Sequence, residues 1–95
     1  MQVKQNVLSL DKQAEIMLYG SRARKTAHEE SDWDFIAFVE NDVTEQHRQK
    51  LTELVFETEL RTGEIISVQL FSKNQKQIYA SSPFFKNVFR EGIYV

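Results

Sequence analysis

The sequence predicts an α/β or α+β domain in which helices pack on a small sheet. Three observations predict it. Residues 16–19 and 35–39 are short apolar runs closed by glycine or polar residues, the signature of buried strands. Residues 43–62 contain neither proline nor glycine and place Leu51, Leu54, Val55 and Thr58 on one stripe of a long helix. Residues 65–71 return to β-branched and aromatic side chains before a helical close.

The elements follow in order. Val3, Val7, Leu8 and Leu10 recur near a helical period, so a short helix opens the chain, and residues 11–13 form a polar break. Residues 14–19 make the first strand, turned by Gly20, and residues 35–39 make the second, stopped by Glu40, Asn41 and Asp42; both are expected at the centre of the sheet. Gly63 terminates the long helix. Phe56 and Leu60 lie on its opposite side, one turn apart, and are expected to be covered by the C-terminal segment; otherwise they form a partner-binding patch. After the strand at 65–71, residues 74–81 form a short helix. Ser82 and Pro83 are then the cap and first position of a last helix presenting Phe84, Phe85, Val88 and Phe89, with Gly92 past its end.

Ninety-five residues make one small domain, expected to span 1–95, whose thin core gives weight to a partner subunit or a second copy of the chain. The 12 basic against 14 acidic residues leave a net charge of -2, which demotes nucleic acid as a partner because no general basic field is available for a phosphate backbone. Without cysteine there is neither a disulfide framework nor a thiolate metal site. No secretory leader or membrane-length apolar run is visible, and the expected setting is the cytoplasm.

The chemistry concentrates in residues 18–34, LYGSRARKTAHEESDWD. Gly20 permits a sharp turn or close approach to a ligand, and Ser21 begins a short helix over 21–25 whose free N–H groups favour an anion; Arg22 and Arg24 add positive charge beside it. A phosphate is expected there. Asp32 and Asp34 flank Trp33 on an entering strand, so both carboxylates face one side while Trp33 faces the other and packs as core under the long helix. Two neighbouring acids repel until a divalent cation lies between them, and hard oxygen donors beside phosphates suit Mg²⁺. Together these ends describe a site for a nucleoside triphosphate and its metal, and for transfer at phosphorus. His28 and His47 lack ligand spacing and read as surface residues, while Glu29 and Glu30 read as a solvated edge.

Gly20-Ser21, ten residues, then Asp32-Trp33-Asp34 resembles the GS-x10-DxD signature of the minimal nucleotidyltransferases, within the polymerase β-like nucleotidyltransferase superfamily that includes MntA-like antitoxins. LYGSRARK and SDWDF match its strand contexts, and SPFFKNVFREGI is similar to the closing segment of related small bacterial proteins. The resemblance implies a mixed sheet with the site at its edge, and Mg²⁺ with ATP or another triphosphate. It further implies an antitoxin role beside a HEPN-type partner protein, which receives AMP on a hydroxyl. Asp32 and Asp34 carry the catalytic and metal-binding roles by this likeness, and Gly20, Ser21, Arg22 and Arg24 the phosphate contacts.

Two positions depart from the family pattern. Lys25 stands in place of a glycine, and the third carboxylate expected on a later strand falls at Gln69, with Ser67 on the same face and Glu64 just ahead of the strand. Glutamine offers a carbonyl oxygen to a metal but is no base near neutral pH. The resemblance therefore leaves two expectations: an active nucleotidyltransferase, or a weakened or inactive module that binds nucleotide and partner without turnover.

Overall fold

The computed structural model describes residues 2–20, 22–23, 32–40 and 42–95. Helix α1 (Gln2–Leu10) is followed by strands β1 (Glu15–Tyr19) and β2 (Trp33–Val39), helix α2 (Glu45–Thr62) and strand β3 (Ile66–Ser72). A 3-10 turn at Lys73–Gln75 leads into α3 (Lys76–Ala80), then α4 (Pro83–Glu91) and a two-residue strand β4 (Ile93–Tyr94). The sheet runs in the order β3-β2-β1-β4. β1 is antiparallel to both β2 and β4, whereas β2 and β3 are parallel, so the sheet is mixed. Parallel neighbours require a crossover, and α2 supplies it.

Both strands expected at the centre are there. β2 is buried on both faces, which is why Phe35 to Val39 reads as an unbroken apolar run without alternation. One face packs under α1 and α2: Phe35, Ala37 and Val39 meet Val3, Val7, Leu51, Val55 and Leu70. The other packs under α4: Met17, Ile36 and Phe38 meet Phe85 and Val88, with Phe71, Tyr79 and Phe89 around them. Thr58, on the stripe of α2, is buried and pins the two helices together; its hydroxyl donates to the Leu54 carbonyl and accepts from Asn6 Nδ2 at 3.0 Å.

Local chemistry sets the helix limits, at Gly63 and at Ser82 and Pro83 as expected, and at Thr44, so that α2 begins at Glu45, two residues inside the expected start of the long helix. Thr44 Oγ1 accepts from the His47 N–H at the start of α2, and Gly63 closes it in the left-handed region at φ 74°. Ser82 caps α4 by accepting from the Phe85 N–H, with Pro83 in its first turn.

Three expectations are corrected. β2 begins at Trp33, two residues earlier than the apolar run, because its pairing with β1 and β3 extends over Trp33 and Asp34. β4 is a strand where no strand was expected; two residues carry too little pattern to be read without the free edge of β1 they pair with. The C-terminal segment does not cover Phe56 and Leu60. It packs on the opposite face of the sheet, where Phe38 and Phe71 receive it, and leaves those side chains 57% and 70% exposed. Among the described residues, no helix is long and apolar enough to cross a membrane.

Candidate functional site

The site is built where β1 ends beside the start of β2. Tyr19 pairs with Asp34, and Asp34 pairs in turn with Ser67 of β3, so three neighbouring strands contribute to one end of the sheet. Alternation assigns the faces. Asp34 shares its side of β2 with Ile36 and Phe38, the α4 side, while Trp33 belongs with Phe35 to the helical layer of α1 and α2. Asp32 lies one residue ahead of β2, exposed, and is close enough to Asp34 to act on it electrostatically.

Gly20 leaves β1 at φ 76°, a conformation costly for any residue with a Cβ. Its carbonyl accepts from the Ala23 N–H at 3.1 Å, forming a turn. The backbone here passes directly against the acid: a Cβ placed on Gly20 would lie 2.7 Å from Asp34 Oδ2. The glycine turn and the second acid of the DxD pair are thus in contact, as a phosphate-and-metal site requires. Partial burial, and secondarily the charge of Asp32, hold the Asp34 carboxyl above the usual aspartate range.

Gln69 pairs with Ile36 in the β2–β3 register and shares the α4 face with Ser67. Its Nε2 donates to the Tyr19 hydroxyl at 3.3 Å. Burial, followed by the charge of Asp34, pushes the Tyr19 phenol upward, partly opposed by the Gln69 hydrogen bond. Sequence reading missed Tyr19. The signal was available in the alternation Met17–Tyr19, which carries the ring onto the acid face, but its place beside Asp34 depends on register.

Glu64 does not supply a third carboxylate to this face. Its Oε2 accepts from Trp33 Nε1 at 3.1 Å and lies 3.7 Å from an Arg22 Nη2. The Arg22 guanidinium lies 4.2 Å over the Trp33 ring, so this cation is engaged with the Trp33–Glu64 pair on the side away from Asp34. Trp33, expected in the core, is half-buried and stacked on Phe35 at 6.4 Å, forming the rim of the α1–α2 layer. Ser21 and Arg24, the other expected phosphate contacts, lie outside the described residues, as do Lys25, His28, Glu29 and Glu30.

Among the described residues, no three His, Cys, Asp or Glu side chains gather as a self-sufficient metal cage. The donor set suits Mg²⁺ nevertheless. That ion is commonly held by one or two carboxylates together with water and substrate phosphates, and Asp32 and Asp34 offer two mutually repelling carboxylates, the second of them against Gly20, which has no side chain.

With this geometry in place, comparison with known proteins decides the family: the family model described as Nucleotidyltransferase domain matches residues 1–93. The chain belongs to the nucleotidyltransferase domain family. Two solved structures share the fold of this nucleotidyltransferase domain. A toxin-antitoxin crystal structure with AMP-PNP aligns at TM-score 0.63 and 18% identity, covering 97% of this chain and 68% of the other. A mutant of the toxin-antitoxin MntA-HpeT aligns at TM-score 0.61 and 14% identity, covering 99% and 72%. At such identities the likeness concerns the fold. No curated protein matches the chain.

Proposed function

We propose that residues 1–95 form a single Mg²⁺-dependent nucleotidyltransferase domain that transfers AMP from ATP to a hydroxyl on a partner protein. The proposed setting is a cytoplasmic toxin-antitoxin pair with a HEPN-type toxin. One observation carries the reading: the contact of the Gly20 turn with Asp34, next to Asp32, at one end of the sheet. The family match supports the reaction class, and the fold likeness to toxin-antitoxin structures, one holding AMP-PNP, supports nucleotide and partner.

In this reading Asp32 and Asp34 hold the metal. Bound there, Mg²⁺ neutralises charge on the phosphates and orients them for in-line displacement. The turn at Gly20 admits the phosphates close to the main chain, and the short β1–β2 pairing fixes their position relative to the acids. Arg24 adds positive charge to the loop; Arg22 braces its base through Trp33 and Glu64 and reaches the phosphates only by leaving them. The acceptor hydroxyl then attacks the α-phosphorus: a P–O bond forms to the acceptor as the bond from the α-phosphorus to the bridging oxygen breaks, pyrophosphate leaves with that electron pair, and the hydroxyl proton passes to solvent water.

A second reading is favoured by a specific observation. Ser67 and Gln69 occupy the β3 positions facing Asp34 and Tyr19, and neither is a base at neutral pH. A domain with this face binds nucleotide and metal while turning over slowly or not at all, and neutralises its partner by contact. The exposed Phe56 and Leu60 of α2 are the surface for that contact.

The test is label transfer. Purified protein with Mg²⁺ and α-labelled ATP is expected to label a co-expressed partner, and Asp32→Asn or Asp34→Asn to abolish it. Labelling that survives both substitutions removes the site assignment. Nucleotide binding without labelling selects the second reading.

A further inference from the structure

A cleft of about 400 Å³ opens between the end of β1 and the outer side of α4, bounded by Tyr19, Gly20, Phe84, Asn87, Val88, Arg90 and Glu91. It shares Gly20 with the acid pair, so a ligand whose phosphates lie at Gly20 and Asp34 has its remaining body directed along α4 or into solvent. We propose that this cleft seats the nucleoside of the triphosphate, with Phe84 as the stacking surface for the base and Asn87 as a polar contact at its edge. The inference rests on the proposed triphosphate site and adds to it the residues that hold the nucleoside.

Phe84 is the observation that calls for a ligand. The neighbouring Phe85 is buried in the core, yet Phe84 remains 44% exposed beside the cleft. It is held in orientation: Tyr19 meets it edge to face at 5.7 Å and Phe85 does so at 5.2 Å. A pre-oriented aromatic ring with an open side is what base stacking needs, because little side-chain freedom is lost on binding. Asn87 lies one turn further along the same side of α4. Its Oδ1 accepts from Arg90 Nη2 at 2.9 Å, which turns the amide in a defined direction and keeps the guanidinium at the cleft. Aromatic ring, amide and cation thus succeed one another along one side of α4, and the cation is paired with Glu91 at 3.5 Å in the last turn of the helix.

Tyr19 couples the two halves. Its hydroxyl accepts from Gln69 on the acid face, and its ring supports Phe84 in the cleft. A groove of similar volume between α2 and β3, bordered by Phe56, Glu59 and Ile66, makes no such connection to the acids.

The experiment compares Mg²⁺-ATP with Mg²⁺-tripolyphosphate by calorimetry on the full chain. Wild type is expected to bind ATP more tightly than tripolyphosphate. Phe84→Ala is expected to weaken ATP by roughly 5- to 150-fold, the range for losing one base stack, while leaving tripolyphosphate unchanged. Phe84→Tyr should restore ATP binding, and Asn87→Ala should weaken ATP alone. Both positions are exposed, so folding is retained and is checked by circular dichroism. Unaltered ATP affinity in Phe84→Ala overturns the proposal. So does equal wild-type affinity for ATP and tripolyphosphate; if Asp34→Asn abolishes both, the triphosphate site stands and only the nucleoside seat falls. Wild type binding neither ligand overturns the site and the seat together.

Discussion

Gly20→Ala separates a backbone cost from a contact with the acid, because the chain contains its own control. Gly20 and Gly63 have nearly the same backbone angle, φ 76° and 74°. Placing an L side chain in that left-handed region costs about 1 to 2 kcal/mol at either position. The surroundings differ: a Cβ on Gly63 meets nothing within 4 Å, whereas one on Gly20 comes to 2.7 Å from Asp34 Oδ2, inside the 3.0 Å that real Cβ atoms respect. The carboxylate must rotate off its preferred position, at about 0.5 to 1.5 kcal/mol. Gly20→Ala should therefore be the more destabilising of the two by that margin, and each kcal/mol lowers Tm by about 4 to 8 °C in a domain of this size. Thermal unfolding of both variants in EDTA measures the difference. In an Asp34→Ala background the excess should vanish, since the carboxylate that clashes is gone. Equal costs for the two alanines, or an excess that persists without Asp34, would refute the contact.

Asp34→Asn should raise the Tm of the metal-free protein at neutral pH: burial and Asp32 raise the folded pKa of Asp34, so its charged form is penalised in the fold. The penalty is absent below pH 3.8, where the carboxyl is protonated folded or unfolded, grows as pH rises from there towards the raised folded value, and is constant above it; a gain that persists unchanged into acid contradicts this account. Gln69→Glu adds a carboxylate to the face of Asp34 and should tighten Mg²⁺ by roughly tenfold, since affinity for hard cations follows the number of charged ligands; isothermal titration with the metal alone checks it. Phe56→Ser with Leu60→Ser removes an exposed apolar surface and should leave Tm nearly unchanged, within about 0.5 kcal/mol, while weakening capture of the co-expressed partner in a pull-down.

Much of the molecule was legible because its signals are local. The caps at Ser82 and Gly63 act within a turn of their own residues, and the apolar run of β2 announces burial on both faces. The placing of Asp34 on the face opposite Trp33 follows from strand alternation alone. Glu64 could not be placed in the same way. Its choice of Trp33 and Arg22 over the acid face arises from the turn between α2 and β3, which no nearby residue pattern encodes.

The residues by themselves determined the longer helices and strands but not β4, that two acids and a glycine-serine pair stand ten residues apart, and that a glutamine occupies the later strand. These depend on backbone preference and side-chain period. Only the tertiary structure decided that Gly20 touches Asp34, that Gln69 bonds to Tyr19, and that the C-terminal aromatics cover the β face opposite Phe56. Such contacts are set by strand order and register. A shift of one residue in pairing would send the same side chains to the other side of the sheet.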